Sequence, residues 1–141
     1  MENTFGLVLN SLQTGLPLLL LDFVTTLILL GLGILIYEKI TPFNDRQLIT
    51  AGNAAAGTVL GGTIVALAIP LAATLATSRA VLDILVWGVV AVILQLLTFA
   101  VAMMLVKRLR GMIEAGNVAA ALILVGIQIA IALLNAGAMA G

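Results

Sequence analysis

The amino-acid sequence predicts an all-α integral membrane protein with four transmembrane helices, arranged as two helical-hairpin repeats of parallel orientation. Three observations predict it. Of 141 residues, 63% are hydrophobic and 9% charged, against about 45–50% apolar (glycine counted) and about 25% charged in soluble domains, so a water-soluble fold would leave large apolar surfaces exposed. The apolar residues fall in four runs, each long enough to cross a hydrocarbon core. A short segment near the start of the second run recurs near the start of the fourth.

A core about 30 Å thick needs about 20 helical residues, and the runs over 16–37, 52–77, 81–106 and 116–138 reach that length. Helices are required because lipid offers no partner to an open strand edge, and the runs lack the alternation of a membrane barrel. Residues 1–15 form an outer N-terminal segment in which Phe5, Leu9, Leu12 and Leu16 recur at helical spacing. That spacing suits a short helix along the interface, and a frayed tail fits equally well. Pro17 is expected to open the first crossing, where its missing N–H costs nothing. No Lys or Arg precedes the first run and Asp22 interrupts it, which argues against a cleaved signal peptide. Pro42 stops the first crossing, and Asn44 with Gln47 three residues later has capping-box spacing for the next helix. Pro70 is expected to kink the second crossing. Thr77, Ser78 and Arg79 make a tight turn into the third, and Lys107, Arg108, Arg110 and Gly111 separate the third from the fourth.

Cations are retained on the cytoplasmic side of short membrane loops. Lys39, Arg46, Lys107, Arg108 and Arg110 lie in the two connections that share a face, whereas Arg79 alone lies on the other. Both termini are therefore expected outside, in the periplasm if the cell is bacterial. Topology accounts for the basic cluster Lys107, Arg108 and Arg110, and recruitment of anionic lipid or an acidic cytoplasmic partner is an alternative use of it.

The recurring segment runs Ile49-Thr-Ala-Gly-Asn53-Ala-Ala-Ala56 and Ile113-Glu-Ala-Gly-Asn117-Val-Ala-Ala120, an offset of 64 residues. At that offset Gly62 meets Gly126, and Ala66, Ala68 and Ala72 meet Ala130, Ala132 and Ala136. Asp22 and Asp83 match across the first and third crossings at an offset of 61, because the connections differ in length. The chain thus divides into repeats over 16–77 and 78–141, and an even number of crossings per repeat points both copies the same way, about an axis along the membrane normal. The first crossing is rich in Leu, while the second and fourth are built of Ala and Gly. Helices associate in lipid through close backbone approach, so the second and fourth are expected at the centre. Asn53, Gly57 and Gly61 would form a small-residue seam on one, and Gly126 would mark a weaker seam on the other.

The Thr41-Pro-Phe-Asn44 turn, the Ile-Thr-Ala-Gly-Asn53 entry, the Gly-Gly-Thr-Ile run ending in Ile69-Pro70-Leu71 and the second Ala-Gly-Asn117 resemble the bacterial inner-membrane family called domain of unknown function 350, the YjfL-like proteins. The resemblance covers almost the whole chain. It implies a four-crossing protein of the bacterial inner membrane and carries over no catalytic or binding residues.

Composition excludes much chemistry. With no His and no Cys, there is no usual zinc site, no Ser-His triad, no thiol nucleophile and no disulfide. Six cations against six anions, scattered along the chain, do not make a nucleic-acid footprint. No nucleophile, base and orienting group converge, so neither an enzyme nor a cofactor is expected. The remaining signals are polar groups in apolar runs. Asn53 and Asn117 either cap and bridge helices or face one another near the cytoplasmic mouth of a polar path. Asp22, without a local partner, either complements a helix dipole near the outer end of its crossing or draws cations and protons to an outer mouth. Asp83 has Arg79 four residues before it as a partner. Gln95 and Gln128 are read first as interhelical glue, and Gln128 joins Asn53, Asn117 and Asp22 as a candidate path-lining residue. Two functions fit. One is a homo-oligomeric bundle that passes an ion or small solute; the other is a membrane scaffold whose cytoplasmic loops recruit a soluble partner.

Overall fold

The computed structural model describes residues 3–141, which form six α-helices and no strand. In chain order these are α1 (Thr4–Ile40), α2 (Asp45–Thr50), α3 (Ala54–Thr77), α4 (Val81–Leu105), α5 (Leu109–Glu114) and α6 (Val118–Ala140). Helices α1, α3, α4 and α6 are long and apolar enough to cross a membrane. With 24, 25 and 23 residues, α3, α4 and α6 span about 35–38 Å at about 1.5 Å per residue, enough for a core of about 30 Å.

Helix α1 departs from expectation. Its 37 residues run through Pro17 without a break, so the separate segment over 1–15 and the helix start at Pro17 are not observed; Met1 and Glu2 lie outside the described residues. Proline removes one N–H and leaves only the Gln13 carbonyl without its usual donor, a loss that flanking helix formers such as Leu18 to Leu21 can absorb. Residues 3–21 are exposed throughout, so this part of α1 packs on nothing else in the chain.

The recurring Ala-Gly-Asn segment does the same local work twice. Gly52 and Gly116 take φ of +83° and +84°, a left-handed conformation that glycine adopts without a Cβ penalty. The Asn53 and Asn117 N–H groups then reach back to the carbonyls of Leu48 and Met112, each at 2.9 Å. That is a Schellman stop for α2 and for α5. Each asparagine next becomes the N-cap of the following long helix, its Oδ1 accepting from the Ala56 N–H at 3.0 Å and the Ala120 N–H at 3.1 Å. One residue ends a short helix and begins a long one. The Asn44 cap is likewise present, its Oδ1 accepting from the Gln47 N–H at 3.1 Å.

Helices α3 and α6 form the most extensive pair, and α4 lies against both α1 and α3. The buried stripe of α3 consists of Ala55, Ala56, Val59, Thr63, Ala66, Leu67, Pro70, Leu71 and Thr74. This differs from the seam expected along Asn53, Gly57 and Gly61. A Cβ at Gly61 or Gly126 would meet nothing within 4 Å, and one at Gly57 only Ile49 at 4.0 Å, whereas one at Gly62 would collide with the Val125 side chain. The close approach of α3 and α6 therefore falls one residue along, on a face turned about 100° from the glycine spacing. Pro70 is buried inside α3, where the Thr74 hydroxyl donates to its carbonyl at 2.9 Å. Two apolar clusters fill the interior. One, at the end that carries α2 and α5, includes Tyr37, Phe99, Ile113 and Leu124; the other includes Leu29, Leu67, Leu71 and Ile84. The Tyr37 and Phe99 rings meet edge to face with centroids 4.7 Å apart.

Candidate functional site

Burial separates the polar residues more sharply than sequence does. Among the described residues the buried polar or charged side chains are Asp45, Thr63, Thr74, Gln95 and Gln128, joined by the hydroxyl of fully buried Tyr37. Three of them gather at the α2 end of the bundle. Tyr37 lies one turn from the end of α1, Asp45 opens α2, and Thr63 sits on the buried stripe of α3. The turn at Pro42 and Phe43 folds Asp45 inward, because Phe43 is buried in the neighbouring apolar cluster and draws the start of α2 under the bundle.

This cluster is made of oxygen and contains no Lys or Arg side chain. Neither Asp45 carboxylate oxygen, nor the Tyr37 hydroxyl, nor the Thr63 Oγ1 completes a well-formed hydrogen bond. Burial pushes the Asp45 carboxyl up to about 6; the Tyr37 hydroxyl beside it pulls the other way, and the negative charge of Glu38 adds to the rise. The neighbouring residue Arg46 does not pair with it. Arg46 is turned outward and held by Glu38 in a two-point pair, Nε to Oε1 at 3.0 Å and Nη2 to Oε2 at 2.8 Å. Buried polar groups are ordinarily satisfied, so oxygens gathered without partners at one place make this end of the bundle the leading candidate site. Asp45 also lines an open cleft of about 570 Å³ whose other walls include Glu38, Asn44, Arg46, Arg110 and Glu114.

Further unpaired polar atoms continue away from this end. Gln95 Nε2 donates to the Gln128 carbonyl at 2.8 Å, yet Gln95 Oε1 and both polar atoms of the Gln128 side chain have no partner. Thr63, Gln95 and Gln128 stand nine, ten and ten residues from the α2–α5 ends of their helices, a common depth of about 15 Å. Nearer the opposite end, the Asn135 Nδ2 is again buried and unpaired. It lines a second cleft of about 620 Å³ with Thr74, Arg79, Asp83 and Trp87.

The residues expected from sequence are distributed differently. Asn53 and Asn117 do not pair with each other. Beyond its cap, the Asn53 amide donates to the carbonyls of Ile113 at 2.9 Å and Glu114 at 3.1 Å, tying α3 to the end of α5, whereas Asn117 makes only its cap. Asp22 is half-buried and lies eighteen residues into α1, so no helix N-terminus explains its charge. Its side chain makes no hydrogen bond or ion pair among the described residues, and it is distant from the Tyr37 cluster along the same helix. Asp83 accepts from the backbone N–H of Arg79 at 3.3 Å and forms no ion pair with the guanidinium. In the basic cluster, Arg110 pairs with Glu114 at 3.1 Å, while Lys107 and Arg108 stay exposed and Arg108 caps α5 in a left-handed conformation, φ 68°. No group of three or more acidic, His or Cys residues forms a metal site among the described residues.

Tyr37, Asp45 and Thr63 were not singled out in the sequence. Asp45 reads there as one more polar residue in a connection, and nothing in the local pattern says that the connection turns inward.

The profile of the family described as Domain of Unknown Function (DUF350) matches residues 11–139. UPF0719 inner membrane protein YjfL from Escherichia coli strain K12 is 35% identical over 104 residues, 74% of this chain and 79% of that protein. The same-named protein of Escherichia coli O157:H7 matches to the same extent. No solved structure matches. Four long apolar helices, the matched profile and these relatives together place the chain in the DUF350 family, as a multi-pass protein of the bacterial inner membrane.

Proposed function

We propose that the protein is a homo-oligomeric bundle that passes a proton or a small cation across the inner membrane. The observation that carries this reading is the buried Asp45 carboxyl, without a cationic partner and beside the Tyr37 hydroxyl, which in turn neighbours Thr63. An ionised carboxylate there is poorly solvated, and it is neutralised either by taking a proton or by coordinating a hard cation through oxygen. Gln95 and Gln128 at mid-depth and Asn135 beside the opposite cleft supply further polar stations, and Asp22 stands toward the same opposite end. The basic connections face the cytoplasm and both termini the periplasm, in keeping with the cation bias of the loops. The two halves are then parallel hairpin repeats about an axis along the membrane normal, a reading supported by their matching Schellman stops and asparagine caps.

Proteoliposomes loaded with a pH-sensitive dye test the proposal under an imposed potential and under inward gradients of Na⁺ and K⁺. Flux above protein-free vesicles that is lost in Asp45→Asn supports it; flux equal to empty vesicles for all three ions overturns it.

A second reading is a scaffold that recruits a cytoplasmic partner, favoured by the exposure of Lys107 and Arg108 without ion pairs at the α5 end. Replacing Lys107, Arg108 and Arg110 with Gln would then abolish partner capture while Asp45→Asn leaves it intact.

A further inference from the structure

Within the chain, α4 occupies the angle between α1 and α3. A Cβ at Gly33 of α1 would stand 3.3 Å from Val92 of α4 and 3.4 Å from Leu67 of α3, and one at Gly88 of α4 would stand 2.5 Å from Leu29 and 3.3 Å from Leu71. The relation between the halves is not a closed two-fold, because α4 packs on α3 whereas α1 makes no comparable contact with α6. The second half is mounted on the first head to tail. An arrangement of that kind leaves one used face and one unused face of the same shape.

The unused face is present. The angle between α4 and α6, counterpart of the one that α4 fills, is an open apolar groove of about 460 Å³ lined by Leu94, Leu97, Thr98, Val101, Ile127 and Ile131 among others. At the 61- and 64-residue offsets, Leu94, Thr98 and Ile131 correspond to Gly33, Tyr37 and Leu67, all buried in the first half, while Leu97 and Val101 on the rim correspond to exposed Ile36 and Ile40. A polar mismatch accompanies it. Asn53 spends its amide on the carbonyls of Ile113 and Glu114 at the end of α5. Asn117 has the same cap and backbone, but its amide finds no acceptor among the described residues. The corresponding acceptors, the carbonyls of Ile49 and Thr50 at the end of α2, belong to exposed residues.

We propose that a second copy of this chain docks on the α4–α6 face as the second half docks on the first. Its α1 enters the groove, and the carbonyls of its Ile49 and Thr50 accept from Asn117. The inference rests on the homo-oligomeric part of the reading above and adds the interface and its polarity. One operation meets both mismatches, and it makes a third contact. Gly62 abuts Val125 inside the chain; at the 64-residue offset the same contact between copies brings Gly126 against Gly61 of the next copy. Both glycines are open in the single chain, so neighbouring helices can approach closely there. Because the interface is heterologous, repetition closes into a ring or extends as a chain of copies.

The chain contains no Cys, which makes crosslinking in membranes direct. Gly61→Cys and Gly126→Cys are expressed as differently tagged copies, alone and together, and oxidised; Gly62→Cys with Val125→Cys in one chain is the internal standard. A disulfide-linked dimer that forms only when the two single variants are together, at a yield within about threefold of the internal standard, supports the proposal. Dimers from either single variant alone, or none in the mixture while the standard closes, overturn it. An Asn117→Ala variant is expected to lower the mixed-dimer yield severalfold. Flux is read separately on the same vesicles, so loss of the crosslink with retained flux rejects this interface alone, and a crosslink without flux rejects transport alone.

Discussion

The two halves of the molecule share a backbone plan and differ in what they bury. Each contains a long helix, a six-residue helix closed by a glycine near φ +84°, and a second long helix capped by asparagine. The first residue of the short helix points into the bundle in both: Leu109 in the second half is 2% exposed, and Asp45 in the first is 3% exposed. Leucine is what such a position requires. At the offsets that align the halves, Tyr37 corresponds to Thr98 and Thr63 to Ile127, so the second half largely lacks the oxygen cluster. The plan therefore folds without a carboxyl at this place, and packing does not account for Asp45. A buried carboxyl at the position where the other half carries a buried leucine is the contrast that motivates the proposed proton or cation site.

The comparison can be broken most directly by making the first half resemble the second. Asp45→Leu is expected to remove at least nine-tenths of the ion flux in proteoliposomes while raising the thermal unfolding temperature in detergent. A variant that unfolds earlier and still conducts would show that the carboxyl is structural. Close packing gives the next largest effect. Gly62→Val overfills the α3–α6 contact at Val125 and is expected to destabilise the bundle by about 1–3 kcal/mol in reversible unfolding. Gly137→Ala, where nothing stands within 4 Å, is expected to be neutral or to gain up to about 1 kcal/mol from helix propensity.

Titration sharpens the same contrast. The folded protein raises the Asp45 carboxyl from 3.8 to about 6, so it favours the protonated form. The associated stability is full below about pH 4 and is lost as pH rises through about 6. Asp45→Asn is therefore expected to be more stable than the native chain by about 1–3 kcal/mol at pH 8, with the gap closing by about pH 4. An advantage independent of pH would locate the cost elsewhere. The smallest effect concerns the asparagines. Asn53→Ala loses a cap and two bonds to α5 and is expected to cost about 1–2 kcal/mol, against about 0.5–1 kcal/mol for Asn117→Ala in a detergent-isolated monomer. Equal losses in that monomer would remove the asymmetry on which the docking of a second copy rests.

Much of the architecture was legible before the structure. Apolar run length placed α3, α4 and α6 closely, since a membrane constrains helix length directly. The Ala-Gly-Asn recurrence carried real local information because a glycine at positive φ and an asparagine cap are requirements of the backbone itself. The start of α1 was misjudged by proline, whose positional preference at helix starts does not forbid a helix interior when neighbouring residues favour helix. The glycine seam is not the face that α3 and α6 share within one chain, for a related reason. A four-residue spacing marks a face, but which face meets a neighbour is set by the neighbour, and here Gly62 was used while Gly61 was left open within one chain. One of the two readings of Asp22, as a complement to a helix dipole, relied on a helix start that lies eighteen residues away.

By itself, then, the amino-acid sequence determined the solvent the protein lives in, the number of candidate spans and the stops and caps between helices, all consequences of hydropathy and local backbone chemistry. Only the tertiary structure decided that Asp45 lies inside beside Tyr37, and that Asn53 reaches another helix while Asn117 does not. Burial and long-range pairing depend on groups distant in the chain, and no local pattern encodes where a connection folds once the helices around it have packed.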